Sequence, residues 1–167
     1  MNLALELLKK LLNDEISAQR KTSVVQARRF SEKLDESIKR YHNRALETAQ
    51  IIEALIDLAR EMNEDKMRGA RLGLSKDEVA FYDALNENVS AGDVLGDEQL
   101  RVIASKVATT VRNDTTIDWT VRETARAHLR RMVRRVLRKH GYPPEGQDAA
   151  TDLVIMQAEL LGQELAA

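Results

Sequence analysis

Arginine is the residue type best placed here to do chemistry. Between Arg122 and Lys139 stand eight basic side chains and one acid, Glu123, and arginine outnumbers lysine seven to one. At roughly 100° per residue, Arg126, Arg130, Arg131, Arg134, Arg135 and Arg138 fall on one half of a helix, with Val121, Ala125, Leu129, Met132, Val133 and Val136 on the other. A guanidinium is a planar fork that grips phosphate or carboxylate through paired hydrogen bonds. These six arginines are therefore candidate contacts to a nucleic-acid backbone or to an acidic protein. No aromatic residue interleaves them, so the helix does not offer a stacking platform for single-stranded bases, and nothing supports base-specific reading. Two plainer readings compete: a solvated face, or a face neutralised by the acidic 74–100 region of the same chain.

Other chemistries lack their residues. There is no G-x-x-x-x-G-K-[ST] loop and no G-x-G-x-x-G turn to cradle phosphate. Asp77-Glu78-Val79-Ala80 and Asp97-Glu98-Gln99-Leu100 look like an ATPase D-E-x-x box, but turn residues precede both where an apolar strand is needed. Helix N-capping accounts for them better. His42, His128 and His140 are far apart with no carboxylate at ligand spacing, and His128 sits on the edge of an apolar face. Acid pairs such as Asp35-Glu36 fall on exposed helical faces. No cysteine is present. No metal site and no catalytic residue is expected in this chain.

The elements that position the arginines are helices. Leu3, Leu7, Leu8, Leu11 and Leu12 give one face of a short helix over 3–14, followed by a polar break at 17–22. Ser23 is placed to cap a long pattern from Ala27 and Phe30 through Tyr41 to Ala59. Uninterrupted from 23 to 64 it would run about 60 Å, so either a projecting helix or a break near Tyr41-His42-Asn43 is expected. Ser75 and Glu78 form a capping box for a helix running to about Asn88. Gly92 and Gly96 bound a turn, and Asp97 caps a helix ending near Arg112–Asp114. Thr120 and Glu123 form a second capping box, with Trp119 packed at its entrance. Gly141 is the C-cap of the arginine helix, and Pro143-Pro144 forbid its continuation. A last helix spans 146–164, with Ala150, Leu153, Val154, Met156, Gln157 and Leu160 inward. The expected fold is all-α: one domain over 1–167, an irregular bundle of about five to seven helices with one long helix or helical hairpin.

Composition agrees. Hydrophobic residues make up 43% and charged residues 32% of the 167, which fits a folded chain with a real core. No apolar run approaches the roughly 20 residues needed to span a bilayer, and no signal-peptide pattern opens the chain, so a cytoplasmic setting is expected. The net charge of −1 hides an asymmetry. Residues 74–100 carry seven acids against Lys76, whereas 101–140 carry eleven lysines and arginines against three acids. Such polarity concerns partners rather than fold. A second basic cluster, Arg20, Lys21, Arg28, Arg29 and Lys33, reads as ordinary surface.

In order and spacing, several stretches together resemble the C-terminal helical region of the restriction (R) subunit of type I restriction–modification enzymes. They are Phe30-Ser31-Glu32 through Leu34 to Tyr41, Asn43-Arg44, Glu47-Thr48, Ile52-Glu53, Leu74-Ser75 with Glu78, Ala80 to Leu85 and Gly96 to Leu100. Ile117 to Glu123, with Trp119 and Thr120, and Gly141 to Pro144 complete the set. The resemblance implies a terminal piece of a large subunit, whose nuclease and ATP- and Mg-dependent DNA-translocating motor lie ahead of it. It implies methyltransferase and specificity subunits as partners. The implied role is non-catalytic, holding the motor subunit on the methyltransferase core. The arginine-rich helix over 120–140 gives the alternative, a sequence-independent contact to the backbone of duplex DNA.

Overall fold

Apolar residues recurring at three- and four-residue steps, with seven glycines and two prolines in 167 residues, favour helices throughout. The computed structural model describes residues 2–87, 89–114 and 122–166, and over these the chain is all-α, with nine helices and no strand. It divides into two compact units, Met1–Arg68 and Gly69–Ala167.

In the first unit α1 (Leu3–Gln19), α2 (Val24–His42) and α3 (Thr48–Lys66) each pack against the other two. Asn2 caps α1 by accepting from the Leu5 amide at 3.1 Å. Ser23 caps α2 as expected, accepting from the Gln26 amide at 3.3 Å. Of the two alternatives for the long apolar pattern, a projecting helix or a break near Tyr41–Asn43, the structure has the break. Arg44 adopts a left-handed conformation, φ 59. The Ala45 amide donates to the Arg40 carbonyl (2.9 Å) and the Arg44 amide to that of Tyr41 (3.0 Å). These two bonds close a Schellman motif, and α2 and α3 form a helical hairpin.

The core of this unit joins Leu5, Leu12 and Ile16 of α1 to Phe30 and Leu34 of α2 and to Ile51, Leu55, Leu58 and Met62 of α3. That corrects the expected face of α1. Leu3, Leu7 and Leu11 point away from this core and are 82%, 56% and 56% exposed. The helix also runs on to Gln19, because Ile16 is a core residue and carries the apolar row past residue 14. Asp65 ties the helices together, accepting from Gln26 Nε2 at 2.6 Å and Gln19 Nε2 at 3.3 Å and pairing with Arg68 at 3.3 Å.

The second unit begins at Gly69, within the single-turn α4 (Arg68–Leu72). It continues through α5 (Lys76–Asn86), α6 (Val89–Leu95), α7 (Asp97–Asp114), α8 (Arg122–Lys139), a 3-10 turn at Pro144–Gly146 and α9 (Gln147–Ala166). α5 packs on α7 and α9, and α8 lies against both α7 and α9. Phe81, Leu85, Leu100, Ile103, Val107, Leu129, Val133, Leu137, Tyr142 and Val154 are buried together at its centre. Removing such a side chain from water contributes about 1.5–3 kcal/mol each, so the core outweighs any surface pair in this unit.

The Ser75–Glu78 capping box is formed: Glu78 N donates to Ser75 Oγ (3.3 Å) and Ser75 N to Glu78 Oε1 (3.0 Å). The Ser75 amide, chiefly, holds the Glu78 carboxyl below its ordinary range. Three expectations need correction here. The turn bounded by Gly92 and Gly96 is instead helix α6, held by the fully buried Ala91, with Gly92 inside it. The Asp97 carboxylate accepts from the Tyr82 hydroxyl and pairs with Arg101 at 2.5 Å. Those bonds lower its pKa, the Tyr82 bond most, while burial and then Asp97 push the Tyr82 hydroxyl up to about 12. In α9, Ala150, Val154 and Gln157 are buried and Leu153 and Leu160 half-buried as expected, but Met156 is 49% exposed, while Thr151, Ile155 and Ala158 are buried as well.

Two substitutions should move stability in opposite directions in urea unfolding. Gly141 has φ 77 and no atom within 3.9 Å of an added Cβ, so Gly141→Ala should cost about 1 kcal/mol from backbone strain alone. Arg44→Gly should relieve strain of the same kind and gain up to about 1 kcal/mol. Stability should also be pH-dependent at both ends. Asp97 and Glu78 have lowered folded pKa values, so their contribution is present above the unfolded value of about 4 and is lost as pH falls below it. Tyr82 and Tyr142 are raised to about 12, so their contribution is lost as pH rises from about 10 toward that value. Asp97→Asn should flatten the acid limb of a stability–pH curve.

Candidate functional site

α8 is fixed at its end and along one side. At its C-terminus the Tyr142 amide donates to the Leu137 carbonyl (2.9 Å) and the Gly141 amide to that of Arg138 (3.2 Å). With Gly141 left-handed this is again a Schellman motif, and Tyr142 and Leu137 are both buried behind it. The expected C-cap is therefore in place, with Pro143 buried next to it. The Tyr142 hydroxyl donates to the Leu85 carbonyl at 2.5 Å, and Gln99 Nε2 donates to the His140 carbonyl at 3.3 Å. α5 and α7 thus clamp the end of the arginine helix. Burial raises the Tyr142 hydroxyl to about 12, so it stays protonated, and a donor, beyond the pH at which an ordinary tyrosine ionises.

Along its length α8 buries Ala125, Leu129, Val133 and Leu137, an i, i+4 row, with Met132 and Val136 half-buried beside it. Leu137 was missing from the expected stripe, and Val121 lies outside the described residues. Trp119 and Thr120 also lie outside them; Glu123 is exposed in the first turn of α8. His128 is exposed.

The six candidate arginines divide into two groups. Arg126 pairs with Glu159, Arg130 with Asp152 at 3.0 Å and Arg134 with Asp148 at 2.7 Å, a ladder that joins α8 to α9. The Glu159 hydrogen bond raises the Arg126 guanidinium. Arg131, Arg135 and Arg138, with Lys139, are exposed and have no carboxylate partner among the described residues. Together with Arg134 they line one surface depression.

Part of this face is thus neutralised within the chain, but by α9 rather than by the 74–100 region. Three of the seven acids of that region are bonded elsewhere: Asp77 to Arg112 at 3.5 Å, Glu78 to its capping box and Asp97 to Tyr82 and Arg101. The missed signal was the 4- and 7-residue spacing of Asp148, Asp152 and Glu159, which sets three acids on one face of α9. In the second basic cluster, Arg29 and Lys33 share Glu61 at 2.8 and 2.5 Å, as ordinary surface pairs do. Among the described residues no three His, Asp or Glu side chains gather as a metal-binding group, and no helix is long and apolar enough to cross a membrane.

Comparison with known proteins identifies the class. Residues 1–164 match the family described as type I restriction enzyme HindI endonuclease subunit-like, C-terminal. The type I restriction enzyme HindI endonuclease subunit of Haemophilus influenzae is 38% identical over 164 residues, covering 98% of this chain and 16% of the relative. A protein of Methanocaldococcus jannaschii, provisionally named as a type I restriction enzyme MjaIXP endonuclease subunit, is 39% identical over 80 residues, 48% of this chain and 8% of its own. No solved structure matches significantly. The chain belongs to the family formed by the C-terminal region of HindI-like endonuclease (R) subunits, and it spans about a sixth of its Haemophilus relative.

The ladder joins exposed groups, so it should orient side chains more than it stabilises the fold. A double-mutant cycle on Arg134 and Asp148 should give a coupling of about 0.2–1 kcal/mol that shrinks on adding salt.

Proposed function

We propose that this region is a non-catalytic assembly element. It docks an ATP-dependent, DNA-translocating and -cleaving endonuclease subunit onto the methyltransferase–specificity core of a type I restriction enzyme, in the cytoplasm. Family membership supports the setting. The observation that carries the docking role is the row Leu3, Leu7 and Leu11 on α1, exposed although a large apolar side chain gains by leaving water. Three leucines at i, i+4 and i+8 form one stripe about 12 Å long. A stripe of that kind fits a protein surface, where apolar anchors dominate binding energy. Phosphate gains nothing from it. On this reading the motor, the nuclease and their ATP and Mg belong to the rest of the subunit.

The test is Leu3→Gln, Leu7→Gln and Leu11→Gln together in the full-length endonuclease subunit. Copurification with the methyltransferase core should fall at least about tenfold, the equivalent of one 1.4 kcal/mol step, while the subunit's own melting temperature stays unchanged. Undiminished assembly would overturn the proposal. So would a lowered melting temperature of the subunit alone, which would assign the row to an internal contact.

A further inference from the structure

α8 carries two kinds of arginine, and their difference points to a ligand. Arg126, Arg130 and Arg134 are neutralised by α9. Arg131, Arg135, Arg138 and Lys139 are not neutralised by any described carboxylate, and they share the depression they line. At 100° per residue these four fall within an arc roughly 100° wide, opposite the buried Ala125–Leu129–Val133–Leu137 row. Along the axis, 131 to 138 spans about 10 Å. Four like charges held this close repel one another, and on a chain whose net charge is −1 they are not explained by a general basic excess.

We infer that the Arg131–Arg135–Arg138–Lys139 edge of α8 binds the phosphate backbone of duplex DNA without regard to sequence. A duplex presents one charge per about 1.7 Å of its axis, so several phosphates lie within reach of an edge this long. The guanidiniums supply charge-assisted, bidentate bonds to phosphate oxygens. An acidic protein would be the other polyanion, but protein interfaces centre on apolar anchors. Among the described residues, none of the exposed large hydrophobic side chains is on α8. The contact goes beyond docking and does not depend on it.

The test is fluorescence anisotropy of the 167-residue chain with a labelled duplex of about 30 base pairs, between about 50 and about 200 mM salt. Four engaged cations give a log–log slope of roughly −3.6, an affinity loss of about 150-fold across that range. Arg131→Gln, Arg135→Gln and Arg138→Gln together should leave a slope of roughly −0.9. All three side chains are exposed, and an unchanged circular dichroism spectrum confirms the fold. Arg126→Gln with Glu159→Gln removes a spent pair and should leave the slope as it was. Four results would each overturn the inference. These are no binding at low salt, a flat salt response, an outer-edge triple variant that binds like the parent, or poly-glutamate competing as well as duplex. A slope that falls equally in the Arg126/Glu159 variant would overturn the division of the helix.

Discussion

α8 has to bury one narrow apolar row while carrying eight basic residues, and the second unit is arranged around that requirement. Ala125, Leu129, Val133 and Leu137 drive the helix into the space against α7 and α9. Burying that row brings the residues one position further on, Arg126, Arg130 and Arg134, to the edge of the helix–helix contact, within reach of α9. There Glu159, Asp152 and Asp148 meet them as exposed ion pairs. The next arc round the helix is beyond α9, and its cations remain in solvent. The division of α8 into a paired and an unpaired edge thus follows from one choice, the face that is buried.

The same logic explains α1 in the first unit. Its leucines spread over roughly 200° of the helix rather than forming one narrow stripe, so packing against α2 and α3 does not cover them all. Leu5 and Leu12 enter the core with Ile16; Leu3, Leu7 and Leu11 are left outside. The molecule therefore offers two unlike surfaces, an apolar row on α1 and a cationic edge on α8. They suit unlike partners, a protein and a phosphate backbone.

Much of this was legible in the sequence wherever a local backbone requirement selects a residue. Ser23, the Ser75–Glu78 box and Gly141 each answer an unpaired helix-end group or a left-handed turn, and each sits as read. The hairpin break could be placed near Tyr41–Asn43, although the turn is made by Arg44, a residue with no special left-handed preference. What was not legible depends on neighbours. The choice of inward leucines on α1 is made by α2 and α3. Gly92 reads as a turn residue until the burial of Ala91 holds α6 together. Asp97 reads as a cap until Tyr82 and Arg101 stand next to it. The acids that neutralise α8 come later in the chain, not from the more acidic 74–100 region, because pairing follows helix adjacency rather than charge density. Trp119 and Thr120, which helped to mark the family, lie outside the described residues.

The central claim is that α1 meets a protein partner through its outer leucines. Hydroxyl-radical footprinting of the full-length subunit, alone and in complex with the methyltransferase–specificity core, reads this directly, because it labels solvent-exposed leucine side chains. Leu3, Leu7 and Leu11 should be modified in the free subunit and protected in the assembled enzyme, with the exposed Met156 of α9 as an internal reference. Equal modification of the three leucines in both states would contradict the account.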